Sequence, residues 1–277
     1  MPRNSARLSN KTENKSNPEV TENKSSIFDF VTPTDIVDLP TKGRFYPEDH
    51  PLHNQESIEI RHMTAKDTDI LTSKSLLKKG IAVERMLENV IVDKDINLDD
   101  LYVGDKNALI VASRINGFGP EYKTKVRCPN CDKTSEHSFD LESINTLEEI
   151  EDIEISDNGT FVITLPKSKV EVECKLLTGK DEKLLAKTME NRKRLKLPEN
   201  LLTEQYKIFI VSLNGETERG LVEKFIEVMP ALDATHLRKM YEKVVPNVDM
   251  THDFVCSSCE TESVIDMPFS ADFFWPN

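Results

Sequence analysis

The chain has 277 residues and a formal net charge of −13 at pH 7; 38% of its residues are hydrophobic and 31% are charged. This composition is typical of a soluble protein with one large or two modest domains. No apolar run approaches the roughly 20 residues that span a bilayer, and the acidic balance argues against broad nucleic-acid binding, which needs a cationic surface. The start MPRNSARLSN lacks an apolar stretch, so we expect a reducing cytoplasm, where paired cysteines are typical of metal ligands or redox groups.

The N-terminal segment differs in composition from the rest of the chain. It is polar, it almost lacks large apolar side chains, and it contains a near-repetition of the run NKTENKS. Such a segment buries too little surface to offset its chain entropy. We therefore predict a disordered polar arm over residues 1–26.

The rest of the chain divides into two halves that resemble each other. Residues 58–67 (IEIRHMTAKD) and 172–181 (VECKLLTGKD) each contain an alternating apolar stretch, typical of a strand, followed by T-x-K-D. Thr64 and Thr178 are predicted helix N-caps, and Asp67 and Asp181 suit the positive end of a helix. Each half should continue in an amphipathic helix, which carries Ile70, Leu71, Leu76 and Leu77 in the first half and Leu184, Leu185, Thr188 and Met189 in the second.

The later part of each half matches as well. Asp105 and Asp233 each precede a predicted helix, and the interval from Asp105 to Cys128 equals the interval from Asp233 to Cys256. A strand is predicted on each side of both cysteine pairs. We predict an α+β fold of two related helical lobes, produced by internal duplication: a first repeat with an N-terminal loop over 27–141, an acidic connector over 142–159 and a second repeat over 160–277.

Two C-x-x-C pairs, Cys128 with Cys131 and Cys256 with Cys259, occupy equivalent positions in these halves. Four thiolates are a complete tetrahedral ligand set for a structural zinc ion, whereas one strand–turn–strand knuckle supplies only two. We predict that the two knuckles join in one zinc-ribbon-like site, with Zn as a structural cofactor that links the lobes.

Other interpretations of these cysteines are ordinary core thiols and a redox dithiol, although redox C-x-x-C pairs lie at a helix start rather than between strands. A catalytic zinc keeps an open position, which four thiolates would fill. His137 and His252 form no ligand pattern and are predicted to be surface or hydrogen-bonded strand residues. Cys174 is predicted to be a buried thiol in a strand over 170–176. Phosphate-loop, dinucleotide-binding, nucleophile-elbow and HExxH motifs are all missing, so we expect no enzyme.

Two kinds of segment could contact partners. Residues 180–196 carry seven basic and three acidic residues, which predicts a solvated helix face or a docking face for an acidic partner or for the acidic connector. Residues 39–47 and 272–277 are rich in aromatic side chains, which either pack within the chain or anchor a partner. These side chains are Phe45, Tyr46, Phe273, Phe274 and Trp275.

Several runs together indicate a family: DLPTKGRFYP, SIEIRHMTAKDTDIL, KKGIAVERMLENVI, LYVGDKNALIVASRINGFGPEY and VRCPNCDK in the first half, and residues 229–260 and 267–276 in the second. Most of the sequence from 36 to 277 resembles the baseplate hub and hub-assembly proteins of T-even-type contractile-tailed phages. The resemblance implies a late viral protein that helps to build the central hub of the tail, as a virion component or as an assembly factor. It implies other tail and baseplate hub proteins as partners, and a location in the host cytoplasm during assembly or in the virion tail baseplate.

The residues and the resemblance lead to one functional hypothesis. We expect a non-enzymatic structural or assembly protein (an assembly chaperone or a hub component) that binds other tail components, with zinc fixing its two lobes. The alternative is a zinc-ribbon accessory protein for nucleic acids or transcription, and the net charge argues against it.

Overall fold

Antiparallel strand pairs and the helices that follow them make up the described part of the chain. The computed structural model describes residues 32–147, 153–198, 200–267 and 271–274. Within these residues there are nine strands, eight α-helices and two short 3-10 helices, so the prediction of a mixed helix-and-sheet fold is confirmed. The arm predicted over residues 1–26 lies outside the described residues.

The strands are β1 (Thr34–Asp38), β2 (Ser57–Arg61), β3 (Glu121–Arg127), β4 (Thr134–Asp140), β5 (Thr160–Thr164), β6 (Glu171–Lys175), β7 (Ile210–Leu213), β8 (Thr251–Val255) and β9 (Glu262–Asp266). The helices are α1 (Ala65–Thr72), α2 (Lys74–Lys79), α3 (Ala82–Val90), α4 (Val103–Phe118), α5 (Gly179–Arg194), α6 (Leu201–Phe209), α7 (Arg219–Val228) and α8 (Ala231–Val244). The 3-10 helices are Leu141–Ser143 and Ala271–Phe274. The sheets pair β1 with β2, β3 with β4 and β8 with β9, and a three-stranded sheet has the order β5-β6-β7.

The first half begins with the hairpin β1–β2 and turns into α1 through a capping box. The Thr64 side chain and the Asp67 carboxylate satisfy the first helical amides reciprocally, as the T-x-K-D motif predicts. The single helix predicted across residues 70–77 is wrong, because Ser73 adopts an extended conformation (φ −64°, ψ 109°) and separates α1 from α2. After α3, Ile91 pairs with Ile60 of β2 in an isolated bridge.

The second half repeats this order with one difference. Strands β5 and β6 form a hairpin, and Thr178 and Asp181 form the same capping box at the start of α5. Here the helix continues without a break for 16 residues. After α6, Ile210 pairs with Cys174 of β6, at the position where Ile91 pairs with Ile60 in the first half. Cys174 is fully buried in β6, as predicted.

The buried Asp67 carboxylate gives the fold a predictable acid sensitivity. Burial acts to raise its pKa, but hydrogen bonds from Arg61, Thr64 and Asn89 outweigh burial and hold the pKa well below its usual range. A depressed folded-state pKa contributes stability above the unfolded value of about 4, and this stability is lost as the pH falls further. We expect Asp67→Asn to lower stability at pH 7 and to reduce the difference between urea midpoints at pH 7 and pH 3. The exposed Asp69→Asn on the same helix serves as the control, and an unchanged difference for Asp67→Asn would contradict this assignment.

Helix α4 is the centre of the larger of two hydrophobic clusters, and it buries residues on all its faces. The first cluster combines residues 37–141 with residues 248–274, whereas the second consists of residues 161–244 and Phe45. The C-terminal hairpin β8–β9 therefore packs with the first half of the chain. The clusters do not follow the predicted boundaries at 142–159, and the division into repeats stays a prediction about the sequence.

Asp105 and Asp233 do not precede their helices but lie in the first turn of α4 and of α8. Both are buried, and both accept hydrogen bonds from the loop of the preceding hairpin. Asp105 binds Thr41 through the backbone amide (3.0 Å) and the hydroxyl (2.6 Å), and it accepts a bond from the Tyr46 hydroxyl (2.7 Å). Asp233 accepts hydrogen bonds from the backbone amides of Lys167 (2.7 Å) and Ser168 (2.9 Å). Each carboxylate thus ties a helix start to a β-hairpin.

The start of α5 is bound to the segment before α4. The Gly179 amide donates to Leu101 O (2.9 Å), and the Val103 amide donates to Leu177 O (2.9 Å). Ion pairs surround these backbone bonds and link α5 to acidic residues of the first half: Lys180 with Asp100, and Lys183 with Asp99 and Glu84. The N-terminal part of the basic run therefore contacts residues 84–100 of this chain. The start of the acidic connector contacts a different segment: the Leu147 amide donates a hydrogen bond to Asn247 O (2.8 Å).

The membrane-spanning potential of the helices is low. Across the parts of the chain that the structure describes, no helix combines the length and the apolar character needed to cross a bilayer.

Candidate metal centre

Each C-x-x-C pair lies in the turn of an antiparallel hairpin, between β3 and β4 in the first case and between β8 and β9 in the second. In the first turn, the Cys128 amide donates to Lys133 O (2.9 Å) and the Asp132 amide donates to Cys128 O (3.0 Å). The same two bonds close the second turn, from Cys256 to Thr261 O (3.1 Å) and from Glu260 to Cys256 O (2.9 Å). The two turns therefore share one hydrogen-bond pattern.

The backbone reverses in each turn through a left-handed residue. Asp132 has φ 60° and Glu260 has φ 55°. These residues follow the second cysteine of each pair, so the chain curls around the sulfur atoms before it enters the next strand. Amides then point at the sulfurs: Cys131 N–H lies 3.5 Å from Cys128 Sγ, and Ser258 N–H lies 3.4 Å from Cys256 Sγ.

The two turns bring all four sulfur atoms together. Their Sγ atoms lie within 4.8 Å of one another, and among the described residues they are the group of His, Cys, Asp or Glu side chains that could hold a metal ion. The Cys128–Cys259 and Cys131–Cys256 sulfurs are both 3.7 Å apart. Zn–S bonds of about 2.3 Å in a tetrahedron place sulfurs about 3.8 Å apart, whereas a disulfide needs about 2.05 Å. The donor set therefore fits a tetrahedral thiolate metal and not two disulfides.

The electrostatics of the four thiols also favour a bound cation. A backbone bond at Lys133 lowers the pKa of Cys131, yet burial and the three neighbouring thiols together raise it to about 12. At Cys259 the Thr261 hydroxyl and amide lower the pKa to about 6, and the Ser258 amide lowers that of Cys256. Cys256 and Cys259 lose their protons more easily than an ordinary cysteine, whereas Cys131 loses its proton less easily because the neighbouring sulfurs repel its negative charge. A bound dication would offset that repulsion.

Two polar side chains beside the sulfurs were missed by the sequence analysis. Asn130 Nδ2 donates to Thr261 Oγ1 (2.9 Å), and Thr261 Oγ1 lies 3.3 Å from Cys259 Sγ. The Asn130 bond leaves the Thr261 hydroxyl proton free to point at the sulfur. The available signal in the sequence was the position of Thr261, a polar residue two positions after the last cysteine. Its hydrogen bond with Asn130 joins two hairpins, so it could not be read from the sequence.

Thr261→Ala should weaken metal binding while it leaves the four ligands in place. Loss of a hydrogen bond to a coordinating atom typically costs about 10- to 100-fold in metal affinity. We expect a decrease of this size, measured by competition with a chromophoric chelator. Thr251→Ala is the control on the same hairpin, because the Thr251 hydroxyl bonds to Asp249 instead (2.7 Å). Equal affinities for the two variants would contradict a role for Thr261 at the sulfur.

The histidines near the cysteine turns pack between the two hairpins. The rings of His137 and His252 are 5.7 Å apart, and Phe139 and Phe254 border them. Burial, and then the proximity of His252, lower the pKa of His137. Neither histidine belongs to the metal-binding group found among the described residues. Among the described residues, the buried Nε2 atom of His137 has no hydrogen-bond partner. The sequence predicted either a surface or a hydrogen-bonded position for His137, and no hydrogen bond forms at this atom.

The aromatic residues considered as partner anchors have mostly interior positions. Phe45, Tyr46, Phe273 and Phe274 are buried, and Trp275 lies outside the described residues. Phe273 packs against Tyr122 with ring centroids 5.0 Å apart. Packing within the chain, which the sequence left open, is therefore the observed environment of these four side chains.

Comparison with known proteins gives one family. The model of the family described as T4 bacteriophage base plate protein matches residues 34–275. No curated protein and no solved structure matches the chain.

Proposed function

Because the chain belongs to the T4 bacteriophage base plate protein family, we propose that it is a non-enzymatic structural or assembly protein of the baseplate hub. In this proposal it binds other tail proteins, and Zn²⁺ held by Cys128, Cys131, Cys256 and Cys259 fixes its two knuckle hairpins. The family match over residues 34–275 carries the assignment to the baseplate.

The proximity of the four sulfurs supports the zinc assignment. The fit of 3.7 Å sulfur separations to a tetrahedral thiolate site supports a closed structural ion rather than a catalytic one. The ion supplies four bonds between two segments that are far apart in sequence, and it takes part in no reaction. Its role is to hold β3–β4 against β8–β9.

Several parallels support internal duplication. The capping boxes, the bridges Ile60–Ile91 and Cys174–Ile210, and the two cysteine turns recur in the same order. An ion pair with the same sequence spacing also recurs, from Arg61 to Asp67 and from Lys175 to Asp181, at 2.7 Å in each case. We propose that the metal lies between two copies of one ancestral unit.

The presence of this chain in tail particles tests the function. Mass spectrometry would compare purified virions with tail-assembly intermediates from infected cells. The chain in virions indicates a component, and the chain in intermediates alone indicates an assembly factor. The proposal would be contradicted if the chain were absent from both samples and if baseplates formed normally after its coding sequence was disrupted.

A further inference from the structure

The turn between α5 and α6 exposes an unusual number of leucines. Leu195, Leu197, Leu201 and Leu202 are between 46% and 64% exposed. We call residues 187–198 and 200–202 the hairpin tip. Helix α5 buries only Gly179, so most of its length contributes little to the core of this chain. Contiguous exposed apolar side chains mark interaction surfaces more often than isolated ones do.

The hairpin tip is also strongly basic. Residues 187–196 contain five basic side chains and one acidic side chain, a local balance of +4 in a chain of net charge −13. The start of α5 binds Asp99, Asp100 and Glu84, but the lysines of the tip do not share in these ion pairs. Among the described residues, no carboxylate lies within ion-pair distance of Lys187, Lys193 or Lys196. These charges are available to an acidic surface.

The tip lies in a stretch that is longer than its counterpart in the first half. In the first half, the chain passes from the capping Thr64 to the bridging Ile91 through short helices. In the second half, the equivalent stretch from Thr178 to Ile210 is five residues longer, and α5 runs without a break where the first half has α1, Ser73 and α2. The shorter version closes the same strand pairing. The five additional residues of the second half are therefore not required for that pairing.

A groove beside the tip makes this surface concave. It has a volume of about 680 Å³ and lies between α3 and α5, and its lining includes Leu201 and Lys187. An apolar side chain from a partner would find a concave site there, and both basic and glutamate side chains line the groove. Nucleic acid would use the cations but not the leucines.

We propose that the hairpin tip docks an acidic, apolar-centred surface of another baseplate protein. Its leucines would be covered at the centre of the contact, and Lys193 and Lys196 would pair with carboxylates at the rim. This inference rests on the proposed function and names the surface that it uses.

The test uses the full chain in tail-assembly intermediates from infected cells. A zero-length carbodiimide crosslinker joins lysine amines to carboxylates that already touch them. We expect crosslinks from Lys193 or Lys196 to a different baseplate protein. The double variant Leu195→Ser with Leu197→Ser should reduce co-sedimentation with the intermediates at least tenfold and should keep its metal content and melting temperature. Val228→Ser with Leu232→Ser is the matched control, since both residues are exposed (76% and 54%) at the α7–α8 corner.

Three outcomes would overturn the inference: crosslinks only to a second copy of this chain, release of the chain by nuclease, or wild-type co-sedimentation of the tip variant. In each of them the wild-type chain still associates with baseplate intermediates, so the proposed function stands. If the wild-type chain itself does not associate with them, the proposed function fails, and the inference fails with it.

Discussion

Cys256→Ser is expected to release the metal ion and to lower the free energy of unfolding by more than about 3 kcal/mol. Cys256 is buried, and its sulfur lies 3.7 Å from that of Cys131. Serine leaves three cysteine ligands and one hydroxyl, which is a weak metal ligand. The metal is then released, and its bonds between the two hairpins are lost. The measurements are metal content and urea unfolding, with and without a chelator.

Cys174→Ser is the matched control for this change. Cys174 is equally buried, but it lies in β6 and outside the group of four sulfurs. Its buried hydroxyl should cost about 1–3 kcal/mol, while metal content and sensitivity to the chelator stay as in the wild type. Full metal content in Cys256→Ser, or equal metal loss in both variants, would contradict the assignment of the ligands.

Metal loss should loosen the hairpins more than the junction between the halves. The bonds between residues 99–103 and 177–180 do not involve the cysteines. We therefore expect limited proteolysis of Cys256→Ser to cut first near residues 128–133 and 256–261, and later at the start of α5. This adds to the expectation that the metal links the two lobes, because backbone bonds and ion pairs provide a second connection.

Arg114→Met is expected to destabilise the chain by about 3–5 kcal/mol. The guanidinium of Arg114 is fully buried, and it donates to three backbone carbonyls: Phe273 O (2.7 Å), Gly119 O (2.6 Å) and Glu121 O (3.0 Å). Methionine fills much of the volume but removes the donors from the buried Phe273 oxygen and from the partly buried oxygens of Gly119 and Glu121. It also removes the cation above the Phe118 ring, at 5.4 Å from its centroid.

The exposed Arg85→Met on α3 is the control for Arg114. Arg85 pairs with Glu88 at the surface, where such pairs contribute about 0–1 kcal/mol. Urea unfolding at pH 7 compares the two variants. A loss below about 1 kcal/mol for Arg114→Met would mean that water or other groups replace the donors.

The sequence predicted local features well and distant contacts poorly. The capping threonines, the strands around each C-x-x-C pair and the burial of Cys174 depend on neighbouring residues, and the structure has them as expected. The break at Ser73 was missed because the apolar spacing continues across it. Arg114 was missed because its partner Phe273 lies 159 residues away. The contact between the two cysteine turns was predicted, but the inclusion of β8–β9 in the hydrophobic cluster of the first half was not.

The proximity of the four cysteines could be predicted because two independent signals agreed. The C-x-x-C spacing indicates a metal knuckle, and the position of each pair in the repeated pattern indicates which pairs belong together. The side chains that adjust the site, Asn130 and Thr261, were not predictable, since their contact joins two hairpins. Burial of Phe45 and Phe273 likewise depends on which elements meet them in three dimensions.

The central claim is a single metal ion bound by four cysteines, and metal stoichiometry with thiol counting tests it most directly. The chain would be purified under reducing conditions without chelator and analysed for all transition metals by mass spectrometry. The account predicts one zinc per chain and four thiols that become reactive only after zinc is removed, while Cys174 reacts only on unfolding. Chain that folds without metal, with all four of these thiols freely reactive, would contradict it.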